Sequence, residues 1–392
     1  MRSTLLGAMF LMATSAIGPG FITQTTSFTV ELGAAFAFAI AVSILVDIAL
    51  QLNVWRVIGI TGRRAQELGN AILPGLGWFM AGLLLVGGFV FNVGNVSGAG
   101  LGTDAMLGLD PQIGAPLSAL IAIGIFVSRR AGVAMDRIVV TLGAVMIALT
   151  TYVAVTSSPP VGRAMRNVVL PEEVSFLAIT TLIGGTIGGY IVYAGAHRLL
   201  DSGVSGPGHV KEITRASVVG IIITGVMRVI LFLAILGVVS QGADLDPENQ
   251  AASAFGAAAG EVGLRLFGIV LWAASITSVI GASYTSVSFI TSRTGTSERV
   301  RTMLVVAFIA VTTLIFVVVG AAPTTLLIFA GAFNGILLPV GIGVMLWVAW
   351  RRRDLLNGYH YPHWLTGIGT LAWLLTLYLA VNSIRPLLDL FG

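Results

Sequence analysis

Apolar runs of bilayer-spanning length, about 17 to 25 residues each, recur along the whole chain and are separated by short polar connections. Eleven are present, at approximately 5–32, 34–58, 77–102, 113–128, 138–156, 175–200, 217–239, 264–291, 303–320, 325–350 and 364–382. The pattern predicts an all-α integral membrane protein. No segment between the runs is long or polar enough for a separate soluble domain, so residues 1–392 read as one transmembrane domain. Two runs are interrupted. The first, "ATSAIGPGFITQTTSF", carries Gly18, Pro19 and Gly20 in its middle, followed by Phe21 and the polar Thr23, Gln24 and Thr25. The sixth, "TTLIGGTIGGYIVYAGAHRLL", places Gly184, Gly185, Gly188 and Gly189 around Thr186, just before Tyr190.

Hydrocarbon offers backbone groups no partners, so a break in a spanning helix survives only where the freed groups face protein, a water-filled cavity or a ligand. Breaks at corresponding positions of two halves point to the binding site of a secondary transporter built from inverted repeats. Spans one to five (approximately 4–157) and six to ten (approximately 174–350) would be those repeats, with the eleventh span (363–383) appended. An odd repeat length forces opposite orientation. Gly and Pro also serve close packing in membrane helices; that explanation suffices for one break and strains to cover the matched pair.

Composition agrees with the pattern: 56% hydrophobic and 10% charged residues leave too few charges to cover a soluble surface. Sixteen of the 21 Lys and Arg lie in alternate connections: Arg2; Arg56, Arg63, Arg64; Arg129, Arg130, Arg137; Arg198, Lys211, Arg215; Arg293, Arg299, Arg301; and Arg351 to Arg353. The others hold Asp104, Asp110, Glu172, Glu173, Asp244, Asp246 and Glu248. By the positive-inside rule the amino terminus is cytoplasmic, and an odd number of spans puts the carboxyl terminus outside the cell (inner) membrane. The net charge of +4 is then topological and implies no nucleic-acid partner. The small residues Thr14-Ser15-Ala16 mimic a signal-peptide end, a reading set aside because hydrophobicity resumes and ten spans follow. Without cysteine there are no disulfides or thiolate ligands. No nucleophile, paired carboxylates, metal-ligand cluster or phosphate-binding loop is visible, so neither an enzyme nor a self-contained ATP-driven pump is expected, and no cofactor.

Two ionisable residues lie deep in spans, Asp47 in the second and Arg228 in the seventh. A charge there costs roughly 3 kcal/mol on insertion scales. Their matching depth suggests a buried ion pair within the helix bundle; the alternatives are Arg228 as a substrate counter-ion and Asp47 as a proton carrier. Ser275, Thr277, Ser278, Ser283, Tyr284, Thr285 and Ser286 give the eighth span a polar stripe, read as packing glue or as a Na⁺ site of hydroxyls and carbonyls. His197 and Arg198 are read as marking the cytoplasmic end of the sixth span, with a gating role as the alternative.

These segments resemble the Nramp family of divalent-metal transporters, which has the LeuT-type fold of the amino acid-polyamine-organocation superfamily. The resemblance covers nearly the whole chain and is carried by "IGPGFITQTTSFTVELG", "RVIGITGRRAQELG", "GGTIGGYIVYAGAHRLL", "ITSVIGASYTSVSF" and "FAGAFNGILLPVGI". It implies eleven spans in two inverted five-helix repeats, with discontinuous helices one and six. It does not carry the family's chemistry across. The family's Asp-Pro-Gly-Asn in the first span, whose Asp and Asn hold the metal, reads Gly18, Pro19, Gly20 and Phe21 here. Its Met-Pro-His in the sixth, a thioether ligand and a proton-linked histidine, matches Gly188, Gly189 and Tyr190. An acidic pair on the third-span proton route matches Asn92 and Asn95, and a tenth-span glutamine ligand matches Gly331. Magnesium-transporting relatives lose the methionine and keep the aspartate, so this chain departs further.

Loss of the soft sulfur removes a transition-metal preference, and a divalent ion needs carboxylates that the broken segments lack. Half-helix N-termini with free N–H groups suit a carboxylate instead. The expected site comprises Gly18, Pro19, Gly20, Phe21, Gln24, Gly185, Thr186, Gly188, Gly189, Tyr190, Asn92 and Asn95, with Thr23 and Thr25 beside it. The leading expectation is alternating-access transport of a small organic solute, a carboxylate or amino-acid-like compound. A divalent cation such as hydrated Mg²⁺ without proton coupling is the second, and a non-transporting membrane sensor or partner subunit the third.

Overall fold

The computed structural model describes residues 18–291 and 297–391, and only the backbone course of 129–140. The first half of the first predicted span, Arg2, Thr14-Ser15-Ala16 and Arg293 lie outside the described residues, as do the side chains of Arg129, Arg130 and Arg137. The described chain is helical with no strand. Its α-helices are α1 (Pro19–Leu32), α2 (Phe36–Thr61), α3 (Ala65–Ile72), α4 (Leu76–Leu107), α5 (Pro111–Val127), α6 (Arg129–Thr156), α7 (Val161–Val169), α8 (Phe176–Ile187), α9 (Ile191–Asp201), α10 (Val210–Ser240), α11 (Gln250–Ile290), α12 (Glu298–Val319), α13 (Pro323–Arg351) and α14 (His363–Leu388).

By length and composition, the described residues hold eight helical stretches fit to cross a membrane, or nine counting the pair within 141–169 that bends by 103° at the α6–α7 junction. As far as their residues are described, the eleven predicted segments fall on helices. Two differences account for the smaller number: α5 is only 17 residues long, and α1 and α2 run together as one 43-residue stretch. A single rod of that length would reach about 64 Å, twice the roughly 30 Å of a bilayer core. Gly33, at φ 54°, opens the short 3₁₀ turn that divides it.

Local signals explain where helices start. Asp110 accepts the Gln112 N–H at 2.7 Å ahead of Pro111, Ser175 accepts from Ala178 at 3.1 Å, and Ser297 from Val300 at 3.3 Å. Each satisfies one of the donors that a helix start leaves unpaired. Packing leaves an exterior far more apolar than that of a soluble protein. Leu45, Val155, Val318, Leu371 and Val381 are more than two-thirds exposed, while Gln24, Gln51, Asn53, Asn92 and Asn334 are fully buried. A broad apolar exterior, around a core that is itself mostly apolar with a few buried amides, belongs in lipid.

The central packing joins α4 to α11, α13 to both α8 and α4, and α10 to α2 and α1. The connections sort into two groups. Arg64, after α2, pairs with Asp201 at the end of α9 at 3.1 Å; Arg56 donates to Thr214 on α10 at 3.0 Å; and Asn357, after α13, donates to Ile60 O at 2.9 Å. On the other side, Asn249 before α11 donates to Asp104 at the end of α4 at 2.8 Å, and Thr324 at the start of α13 to Glu248 O at 3.2 Å. Basic connections thus meet basic ones, and acidic meet acidic.

Candidate functional site

The α1 helix begins at the predicted interruption. Gly18 is extended at its N-cap and Pro19 takes the first helical position, where a missing N–H costs nothing. Among the described residues no side chain caps this end, and no acidic residue lies in its first turn. Pro19 packs on Gly98 of α4, where any Cβ would collide with it. The segment before Gly18 lies outside the described residues, so the two halves of a discontinuous first helix are not both on view.

The sixth predicted span is broken. Helix α8 ends at Ile187, Gly188, Gly189 and Tyr190 form the turn, and α9 starts at Ile191. Gly189 has φ 54°, a left-handed conformation that costs an L-residue roughly 1–2 kcal/mol. The other glycines serve close approach. A Cβ on Gly184 would strike the α13 backbone at Gly331 and Gly335, and one on Gly185 would strike Gln24 Oε1.

Between the start of α1 and this break lies a small cavity lined by Gly18, Gly20, Phe21, Gln24, Asn95, Gly185 and Tyr190, together with Phe91, Ile191, Leu327 and Ala330. Its volume is ≈ 20 Å³, in a measure where one water needs roughly 10–15 Å³. Tyr190 and Phe91 meet edge to face at 6.0 Å and form an aromatic wall. Gln24 is fully buried; its Nε2 donates to Leu327 O at 2.8 Å and its Oε1 has no partner. A Cβ on Gly331 would collide with Gln24 Nε2. The amide therefore sits in the space a side chain at 331 would take.

Seven of the expected residues line this cavity, and five do not. Pro19 turns to α4. Gly188 and Gly189 shape the turn, and Gly189 borders a second, apolar cavity with Met80, Leu84, Tyr193 and Gly341. The Asn92 amide donates to Ser283 at 3.1 Å and Thr312 at 2.9 Å, which places it among α11 and α12. The Thr186 hydroxyl donates to Leu182 O at 2.8 Å. Thr25, considered beside the site, likewise bonds back to Phe21 O at 2.7 Å. Short polar side chains on a helix reach their own backbone four residues back, and sequence does not reveal that choice. The stripe on α11 behaves similarly: Ser275, Thr277 and Ser283 donate to carbonyls of their own helix, and Tyr284 faces outward, 47% exposed. Of the residues not anticipated, Phe91 stands one helical turn from Asn95 and was within reach of helical spacing. Leu327 and Ala330 join the site only through tertiary packing.

Asp47 and Arg228 are both buried, and their association is indirect. They form no direct salt bridge among the described residues, and the Thr186 hydroxyl is near both. Arg228 Nη1 donates to Thr186 Oγ1 at 3.1 Å, and Asp47 is within reach of the same hydroxyl and of the Arg228 charge. One face of the guanidinium lies over the Phe21 ring, 4.5 Å from its centre. His197 is buried and accepts the Ala65 N–H through Nε2 at 3.3 Å, tying α9 to the start of α3.

Comparison with known proteins bears on this arrangement. A family model described as natural resistance-associated macrophage protein-like (Nramp) matches residues 9–385. The chain is 51% identical over 385 residues to the uncharacterized membrane protein YcsG of Bacillus subtilis, covering 98% of this chain and 94% of that one. A manganese transporter of Eremococcus coleocola superposes with a TM-score of 0.77 at 16% identity, over 98% of this chain and 86% of its own. MhsT, solved in complex with L-phenylalanine, superposes with a TM-score of 0.67 at 17% identity, over 98% of each chain. These structural likenesses show a LeuT-type fold.

Proposed function

The chain belongs to the Nramp family of membrane transporters, and from that premise we propose that it is a secondary transporter of a small organic solute with a carboxylate or amino-acid-like head. The family and the fold make it a transporter in a lipid bilayer and not an enzyme. The cargo is argued from the cavity. Among the described residues its lining is glycine backbone, three aromatic rings, three aliphatic side chains and the amides of Gln24 and Asn95, with no carboxylate, imidazole or thioether. Among the described residues no three His, Asp or Glu side chains stand together to hold a metal ion. A divalent cation leaving water needs nearby negative charge, and transition-metal selectivity needs soft ligands. The start of α1, which no described side chain caps, and the two amides instead offer hydrogen-bonding groups to a polar organic head, and the aromatic wall offers a face to an apolar tail. MhsT, of like fold, is solved with an amino acid bound.

In this reading the repeats run over approximately 4–157 and 174–350, with 363–383 appended, and the cavity opens alternately to the two sides as the repeats rock. Grouping of the basic connections supports a cytoplasmic amino terminus and an external carboxyl terminus. A second reading, a divalent cation, draws on the likeness to a manganese transporter and on the unpartnered Gln24 Oε1. Uptake into proteoliposomes separates the two. Labelled short organic acids and amino acids are expected to accumulate, and calorimetry with Mn²⁺ or Mg²⁺ to show no micromolar binding. Micromolar Mn²⁺ or Mg²⁺ binding without uptake of any organic solute sinks the organic-solute reading.

A further inference from the structure

Arg228 stands midway along α10 with 2% of its surface exposed. The buried Asp47 acts on its charge without a direct salt bridge: Nη1 donates to Thr186, while among the described residues Nε and Nη2, like Asp47 Oδ1, have no hydrogen-bond partner. A buried cation with two idle donors is costly unless something completes it. The idle pair is one edge of the guanidinium, the edge that grips both oxygens of a carboxylate. Elsewhere in this molecule that edge does so twice. Arg163 holds Glu172 through Nε at 3.2 Å and Nη2 at 2.7 Å, and Arg352 holds Asp354 through Nε and Nη2, each at about 2.9 Å or less.

The group is one ring away from the cavity. Phe21 lines the cavity and also carries the guanidinium against its ring face, and Thr186, which holds Nη1, follows the cavity-lining Gly185. We propose that the open Nε/Nη2 edge of Arg228, steadied by Thr186 and screened by Phe21, is an anion subsite that takes the carboxylate of the transported solute when the Phe21 ring swings aside. This rests on the organic-solute reading and sharpens it to an anionic head group. A solute whose acid group reaches past Phe21 leaves its remainder against Gln24, Asn95 and the Tyr190–Phe91 wall.

The test uses the whole chain, purified in detergent and titrated with short aliphatic acids, hydroxy acids and L-amino acids, each beside its uncharged primary amide. Binding is read as the rise in unfolding temperature. At least one acid is expected to stabilise the protein where its amide does not, and Arg228→Gln to abolish that response. Arg228→Lys keeps the charge but loses the fork, and is expected to bind about tenfold to hundredfold more weakly, the worth of one charge-assisted hydrogen bond. Asp47→Asn removes the protein carboxylate whose charge acts on Arg228 and is expected to tighten the response. A response unchanged in Arg228→Lys, lost in folded Asp47→Asn, or absent for every acid overturns the subsite. In the last case binding of an amide leaves the organic-solute reading standing, whereas binding of Mn²⁺ or Mg²⁺ alone removes both. Should Arg228→Gln fail to fold, Arg228→Lys carries the comparison.

Discussion

At the scale of single residues, the site is organised around Gln24. Its amide lies where Cβ atoms on Gly185 and Gly331 would go, so three positions on α1, α8 and α13 act as one steric unit. Gly185→Ala is therefore expected to destabilise the protein by about 1–3 kcal/mol, the usual cost of overfilling a packed interior. Thermal unfolding in detergent reads this directly, and Gln24→Ala in the same chain should recover part of the loss. Additive effects of the two substitutions would show that the collision is relieved elsewhere. Gln24 and Gly185 were legible in the sequence because both sit beside a break in an apolar run. That the space at Gly331 is filled by an amide from another helix was not, since nothing local to "FAGAFNG" marks it.

At the scale of elements, two glycines with positive φ allow the broken span to be examined. Gly260, inside α11, has φ 66° and ψ −166° with open space around it. Gly189, in the turn between α8 and α9, has φ 54°, and a Cβ there would meet Asn334 Oδ1. Alanine at either position incurs a backbone cost of roughly 1–3 kcal/mol. Gly260→Ala is expected to lower the unfolding temperature while proteoliposome uptake continues. Gly189→Ala should lower uptake as well, because it strains the turn on which the Tyr190 wall stands. Uptake at the wild-type rate in a folded Gly189→Ala protein would show that this turn does not move during transport.

At the scale of the whole molecule, the absence of cysteine provides a clean background for mapping topology. Single cysteines at Asp201 and Arg353 should resist a membrane-impermeant maleimide in intact cells. Those at Asp110, Glu173 and Asp246 should react. The reverse pattern would invert the orientation drawn from the charge distribution. The arrangement rests on more than charge counts, since Arg64 meets Asp201 and Asn249 meets Asp104 across long stretches of sequence.

The sequence by itself determined the class of the protein, its helical runs and the place of the sixth-span break. Each follows from the same physics, that hydrocarbon tolerates only satisfied backbone and apolar surface. The families of connections followed too, because positive charge is sorted by side of the membrane. What only the tertiary structure decided is which polar groups face the cavity and which do not. Thr25 and Thr186 spend their hydroxyls on their own helices, Asn92 turns to Ser283 and Thr312, and Arg228 leaves one edge open behind Phe21. A side chain's partner in a buried interior is set by what the other helices bring within about 3 Å of it, and neighbours in space are not neighbours in sequence.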